Sequence, residues 1–283
     1  MATPRLVVAG NCQARFVAKM LEANPAVNER YKVVYFRNFR SGDQGVLDEK
    51  TLRNCAVLLE QVAHQAPEMP HKAMLPKWTQ VVRFPVLWFN SLWPTFVRDP
   101  RNPPKEVGGP GLWPYGDRII VKALDSGRTP EQAVNAWFAT DVAASLDLDR
   151  FHEINAAKML DLDARSELKM ARYVLDSFRR EKLFVTHNHP SFRMLEVLRD
   201  KVFDALGLPA SDAEVEEASG GMYHTHNPIH PTVARHFGLE WFDPESPARV
   251  RNVELPARDY FKLYAGWEQP PNPEGAGLDL DTE

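Results

Sequence analysis

The stretch Leu6-Val7-Val8-Ala9-Gly10-Asn11-Cys12-Gln13-Ala14-Arg15-Phe16-Val17-Ala18-Lys19-Met20-Leu21 decides the fold. Leu6 to Ala9 is a short apolar run of strand length. Gly10 then permits a turn too tight for most residues. Beyond the turn, the apolar positions 16, 17, 20 and 21 share one face of a helix. Strand, tight turn and helix in this order read as the first unit of a parallel sheet.

Working outward, residues 31–36, 56–62, 81–90 and 183–186 read as further strands. The third is apolar enough to be buried on both faces. The fourth carries Pro85, which implies a break, a bulge or an edge. Helices are expected over 47–54, 117–125, 130–146, 192–206 and 232–237, and over 151–180 with a break near Asp161-Leu162-Asp163. Gly207 supplies a stop for the helix that starts near Phe192. Between residues 93 and 115 the chain is rich in proline and glycine, and a loop of that length is uncommon unless functional or mobile. The expected architecture is α/β: a doubly wound parallel sheet flanked by helices. One domain spans 1–265, with an inserted loop and helical region at about 93–180. Residues 266–283 form a flexible acidic tail.

Composition narrows the function classes. Of 283 residues, 44% are hydrophobic and 25% charged, the balance of an ordinary globular protein. The formal net charge of −4 argues against broad capture of nucleic acid, while leaving room for a local phosphate pocket. No run approaches the roughly 20 apolar residues of a membrane span. Without a visible secretion signal, the expected setting is a reducing cytoplasm with Cys12 and Cys55 both free.

Cys12 stands where a strand gives way to a helix. Backbone N–H groups and the helix dipole lower a thiol's pKa at such a place and welcome an oxyanion. The bland alternative is a small residue packed in a turn; Cys55, beside an apolar strand, takes that reading outright. Histidines gather in two loops, His187 with His189, and His224 and His226 with His230. Two His-x-His pairs can hold a metal, yet CxxC and HExxH patterns are missing, and general-base chemistry fits better. His189 and His230 are the candidate bases, since each precedes a proline and then a helix; polar surface is the plainer reading of His224 and His226. Gln61 and Asn90 stand at carboxyl ends of strands, where open parallel sheets bind ligands. With Gly10, Cys12 and His189 they would line one edge, and the Asn90 amide would donate to an oxyanion. Arg98, Arg101 and Lys105, or a helical set around Arg172, can contact phosphates, though solvated charge explains them equally.

Gly10-Asn11-Cys12-Gln13 after a strand, a strand ending in Gln61, Asn188-His189-Pro190 before a helix, and Asn227-Pro228-Ile229-His230-Pro231 resemble the WcbI-type polysaccharide biosynthesis family over roughly residues 5–240. The resemblance implies an SGNH-like variant of the fold, coenzyme A as cofactor, and O-acetyl transfer from acetyl-CoA to a sugar hydroxyl of a capsular or related polysaccharide. It makes Cys12, His189, Asn90 and His230 the catalytic candidates. Gly10, Asn11, Gln13, Gln61, Arg98, Arg101, Lys105 and Arg172 become candidates for holding the cofactor. It further implies a saccharide acceptor, association with polysaccharide-assembly proteins, and no metal. Two departures stand out: cysteine replaces the family fold's usual nucleophilic serine, and Thr186 occupies the place of the aspartate that orients the base. An ester or thioester hydrolase and a non-catalytic CoA-binding regulator are the rival readings.

Overall fold

Four parallel strands carry the first part of the chain: β1 (Arg5–Gly10), β2 (Lys32–Arg37), β3 (Cys55–Val62) and β4 (Gln80–Pro85), side by side in the order β2-β1-β3-β4. This is a computed structural model, and it describes residues 3–38, 44–64, 67, 69–70, 72–101, 113–211, 215, 218, 225–250 and 253–268. From β1 the chain steps to β2 on one side, then crosses to β3 on the other. That reversal opens a crevice at the carboxyl ends of β1 and β3, the place where open α/β sheets take ligands.

β1 is buried along nearly its whole length because both its faces are covered. Val7 and Ala9 join Phe36, Leu52, Leu58 and Cys55 in one cluster. Leu6 and Val8, on the opposite face by alternation, are fully buried too. Helix α1 (Cys12–Ala23) packs on β1 and β2 and buries Phe16, Val17, Met20 and Leu21, the stripe expected from the sequence. Each large side chain so buried stabilises the fold by roughly 1.5–3 kcal/mol.

The fourth strand is shorter than its apolar run. It ends at Pro85, whose ring has no N–H for a ladder, although Val86 N–H still donates to Val62 O at 2.8 Å. The expected fifth strand also differs. Phe184–Thr186 (β5) pairs antiparallel with His189–Pro190 (β6) in a tight hairpin rather than extending the parallel ladder. One bond, Phe89 N–H to His187 O at 2.8 Å, ties that hairpin to the segment after β4. The break in the long helical stretch falls later than expected. Leu148–Ala164 is one helix and Ala171–Ser177 the next. Asp163 remains in the first helix, and its carboxylate accepts the N–H groups of Met170 at 3.0 Å and Ala171 at 2.8 Å, opening the second.

The chain divides into two compact units. The first comprises Met1–Ser91, Leu148–His224 and Phe237–Trp241; the second comprises Leu92–Asp147, Thr225–His236 and Phe242–Glu283. The two helices after residue 147 belong to the first unit because Glu167 and Leu168 both donate their N–H groups to Arg83 O at the end of β4. The second unit has its own core of Trp113, Ile120, Val134, Trp137, Tyr260, Phe261 and Tyr264. Within it, Asp117 caps the helix Arg118–Asp125 and also accepts from Thr95 Oγ1 at 2.6 Å and Trp137 Nε1 at 3.1 Å. Of the expected tail, Gly266 to Glu268 are described and residues 269–283 lie outside the described residues. Among the described residues no helix is long and apolar enough to cross a membrane.

Candidate active site at the end of the first strand

Gly10 closes β1 where no side chain fits. A Cβ there would lie 2.6 Å from Gln61 Cβ and 2.7 Å from Ala14 Cβ. Asn11 follows as the N-cap of α1, its Oδ1 accepting from Gln13 N–H at 2.8 Å. Cys12 is the first residue of the helix and is exposed. The turn thus presents a thiol at a helix N-terminus over the β1/β3 crevice, as the sequence implied.

Two buried glutamines brace this turn. Gln61 Oε1 accepts the Asn11 N–H at 3.0 Å, and Gln61 Nε2 donates to Gln13 Oε1 at 3.1 Å. Gln13 Oε1 also accepts Leu87 N–H at 2.8 Å, while its Nε2 donates to Leu87 O at 2.7 Å and Asn188 O at 2.8 Å. Gln13 thereby ties the Cys12 turn to the segment after β4 and to the β5–β6 hairpin. Both Gln13 amide protons are consumed inside the protein. Expected as cofactor ligands, Gln13 and Gln61 act here as a clasp that frames the site.

Tyr35 supplies a further brace that the sequence reading missed. Its hydroxyl lies 3.1 Å from both Gly10 O and Asn11 O. Arg37, also missed, stands opposite Gly10 in the β1–β2 register. Protein packed around Cys12 pushes its thiol above the ordinary range, while the N–H groups of Gln13 and Cys12 and then the Arg37 charge pull it down. Because the residue is exposed, water still reaches the sulfur and softens the upward push. Cys55 is buried in the core as expected, and burial pushes its thiol up to about 11.

The histidine hairpin is organised by Thr186, the residue standing where an aspartate was expected. Its hydroxyl donates to Asn188 Oδ1 at 3.1 Å and accepts the His189 N–H at 3.1 Å, so it shapes the backbone turn. His189 is half-buried on this turn. Burial, and then the neighbouring His189, hold His187 down at about 3, so its ring is neutral at ordinary pH. Asn90 is half-buried and its Oδ1 is buried with no hydrogen-bond partner among the described residues. Beside it, Ser91 Oγ and His152 Nδ1 lie 2.9 Å apart.

The remaining candidates are placed otherwise. His230 belongs to the second unit, where its Nδ1 lies 3.2 Å from Thr232 N and 2.9 Å from Thr232 Oγ1. Thr232 Oγ1 itself accepts the Val142 N–H at 3.1 Å, so its own proton turns to His230. His230 Nε2 then donates to Trp137 O at 2.9 Å. Both ring nitrogens are committed and burial lowers the ring's proton affinity. That arrangement starts a helix and leaves no lone pair for a base. Arg101 likewise spends its donors internally, on Asp99 and on the carbonyls of Tyr264, Ala265 and Trp267 at the end of the helix Ala257–Ala265. Arg98 is exposed, and Arg172 is exposed and paired with Asp176 one turn on. Lys105 and His224 lie outside the described residues. Among the described residues no three His, Cys, Asp or Glu side chains gather as a metal-binding group.

Residues 5–211, well over half the chain, match the family described as the polysaccharide biosynthesis enzyme WcbI. The chain belongs to the WcbI family. A solved structure of WcbI, described as a novel polysaccharide biosynthesis enzyme, shares the fold with a TM-score of 0.67, covering 93% of this chain and 90% of that one. The two are 18% identical, and that relative is described as a native protein without a disulfide bond between coenzyme A and one of its cysteines. No curated protein matches the chain. The family assignment rests on residues that include the whole Cys12 turn, its clasp and the histidine hairpin.

Proposed function

We propose that this WcbI-family protein binds coenzyme A thioesters at the Cys12 turn and transfers the acetyl group of acetyl-CoA to a sugar hydroxyl of a capsular or related polysaccharide. The observation that carries the reading is an exposed thiol at the head of α1, over the β1/β3 crevice. Its match in kind is a family relative described through a cysteine and coenzyme A. The residues fit such a ligand. Cys12 is reachable, Arg172 is exposed and suited to phosphates, and the glutamine clasp braces the turn.

In this reading His189 takes the proton of the sugar hydroxyl. The hydroxyl oxygen bonds to the acetyl carbon, and the coenzyme A thiolate leaves. The Cys12 backbone N–H at the helix head and the Asn90 amide face the developing oxyanion. An ordinary thiol is mostly protonated at neutral pH and the net push on Cys12 is upward, which supports direct transfer over an acyl-cysteine intermediate. A cytoplasmic setting and contact with polysaccharide-assembly proteins belong to the same proposal.

The test is intact-mass spectrometry of native and Cys12→Ser protein with acetyl-CoA, beside an assay of acceptor-dependent thiol release. Non-covalent retention of coenzyme A with acceptor-dependent release supports direct transfer. A stable acetyl adduct lost in Cys12→Ser moves the mechanism to the cysteine. Release independent of acceptor makes the protein a hydrolase, and retention without turnover makes it a regulator. Absence of both retention and adduct overturns the proposal.

A further inference from the structure

We propose that Arg37 is the charge-selecting residue of the Cys12 site, favouring reactants that carry negative charge beside the sulfur over neutral ones. The inference rests on Cys12 being the centre of the proposed site.

Strand register carries the argument. Arg37 is the last residue of β2 and lies opposite Gly10, two residues before Cys12. Along a strand, residues two apart share a face. Val34 and Phe36 turn to one side, where they pack with Val7 and Ala9. Tyr35 takes the other side and reaches the carbonyls of Gly10 and Asn11 with its hydroxyl. Arg37 shares the face of Tyr35, one pleat closer to the carboxyl edge, which is the face on which α1 packs, and Cys12 opens that helix.

The backbone around it is held. Asn38 N–H donates to Gly10 O at 2.9 Å, and Gly45 N–H donates to Arg37 O at 2.8 Å. The residue is exposed at the carboxyl end of β2. Its pull on the thiol agrees with that position: the Arg37 charge lowers the Cys12 pKa, against the larger upward push of burial.

The experiment is alkylation of Cys12 in the full chain by neutral iodoacetamide and by anionic iodoacetate, each mapped to the Cys12 peptide by mass. The ratio of the two rates cancels the fraction of thiolate, so it reads local charge and not thiol acidity. A single charge acting through water across several ångströms contributes an attraction on the order of RT, which favours the anionic reagent by about threefold. We expect Arg37→Gln to lose that factor and Arg37→Lys to keep most of it. In the wild type, the advantage should shrink as salt rises and the screening length falls from about 30 Å at 0.01 M to about 3 Å at 1 M. An unchanged ratio in Arg37→Gln, or a wild-type ratio indifferent to salt, overturns the assignment. No acyl donor enters the assay, so its failure is separable from failure of the acetyl-transfer reading.

Discussion

Replacing Gln13 by methionine tests how much the clasp contributes. Methionine keeps the length of the side chain and removes both amide atoms. Gln13 is 2% exposed and makes four hydrogen bonds through its side chain: two to the Leu87 backbone, one to Asn188 O and one to Gln61 Nε2. At about 1 kcal/mol net for each, the loss sums to about 4 kcal/mol. The part-buried Asn188 carbonyl recovers water, and the thioether gains some apolar burial, which together return about 1 kcal/mol. The expected destabilisation is therefore about 3 kcal/mol, a large share of the roughly 5–15 kcal/mol that stabilises a typical domain. With a urea slope of about 3 kcal/mol per molar, the unfolding midpoint of the first unit falls by about 1 M at unchanged slope. Gln61→Met should cost less, since only its bonds to Asn11 and Gln13 are lost. The double variant should fall short of the sum, because the two residues share one bond. A Gln13→Met protein within about 1 kcal/mol of the wild type, or strict additivity of the pair, would refute the clasp.

Three further outcomes follow from the same geometry. Gly10→Ala drives a Cβ to within 2.6 Å of Gln61, and should lower the denaturation midpoint by at least 2 kcal/mol equivalent, about the cost of overpacking a tight core. His187 is held at about 3 in the fold against an ordinary value of 6.5. The unfolded chain therefore binds more protons between these values, and stability should rise with pH across that window. His187→Asn should flatten this limb, and an unchanged acid limb would contradict the burial of a neutral ring. Arg101→Gln should destabilise the second unit by about 1–3 kcal/mol, the cost of orphaning Asp99 and helix carbonyls. Coenzyme A retention in native mass spectra should be unaffected by that change, and its loss would return Arg101 to the ligand.

Cys55 offers a control for the thiol chemistry. Its folded value near 11 exceeds the ordinary 9.0, so the neutral thiol is favoured by folding. The stability it contributes is present below pH 9.0 and drains away as pH rises toward 11. In alkylation at neutral pH it should stay unmodified in the native chain and react only after denaturation.

The sequence by itself determined the chain's local grammar. The apolar run from Leu6 to Ala9, the glycine after it and the helical stripe behind Cys12 fixed a strand–turn–helix, because period and steric freedom are local properties. Most strands and helices were legible for the same reason, as was the buried position of Cys55. Pro85 announced an interruption, since a missing N–H is written in the residue itself.

Tertiary structure decided what each polar group is for. Gln13 and Gln61 looked like ligand contacts because strand ends line crevices, yet fold closure turned their amides on each other and on Leu87 and Asn188. His230 and Arg101 carried the right chemistry in the right company, but Trp137, Thr232, Asp99 and a helix end claimed their donors and acceptors. Arg37 was open to the same strand-end rule that picked out Gln61 and Asn90, but only the pairing of Gly10 with Arg37 brought its charge to Cys12. Residue type fixes what a side chain can donate or accept. Which partner satisfies it depends on contacts between positions far apart in the chain, and a buried polar group takes whichever partner the fold brings within reach.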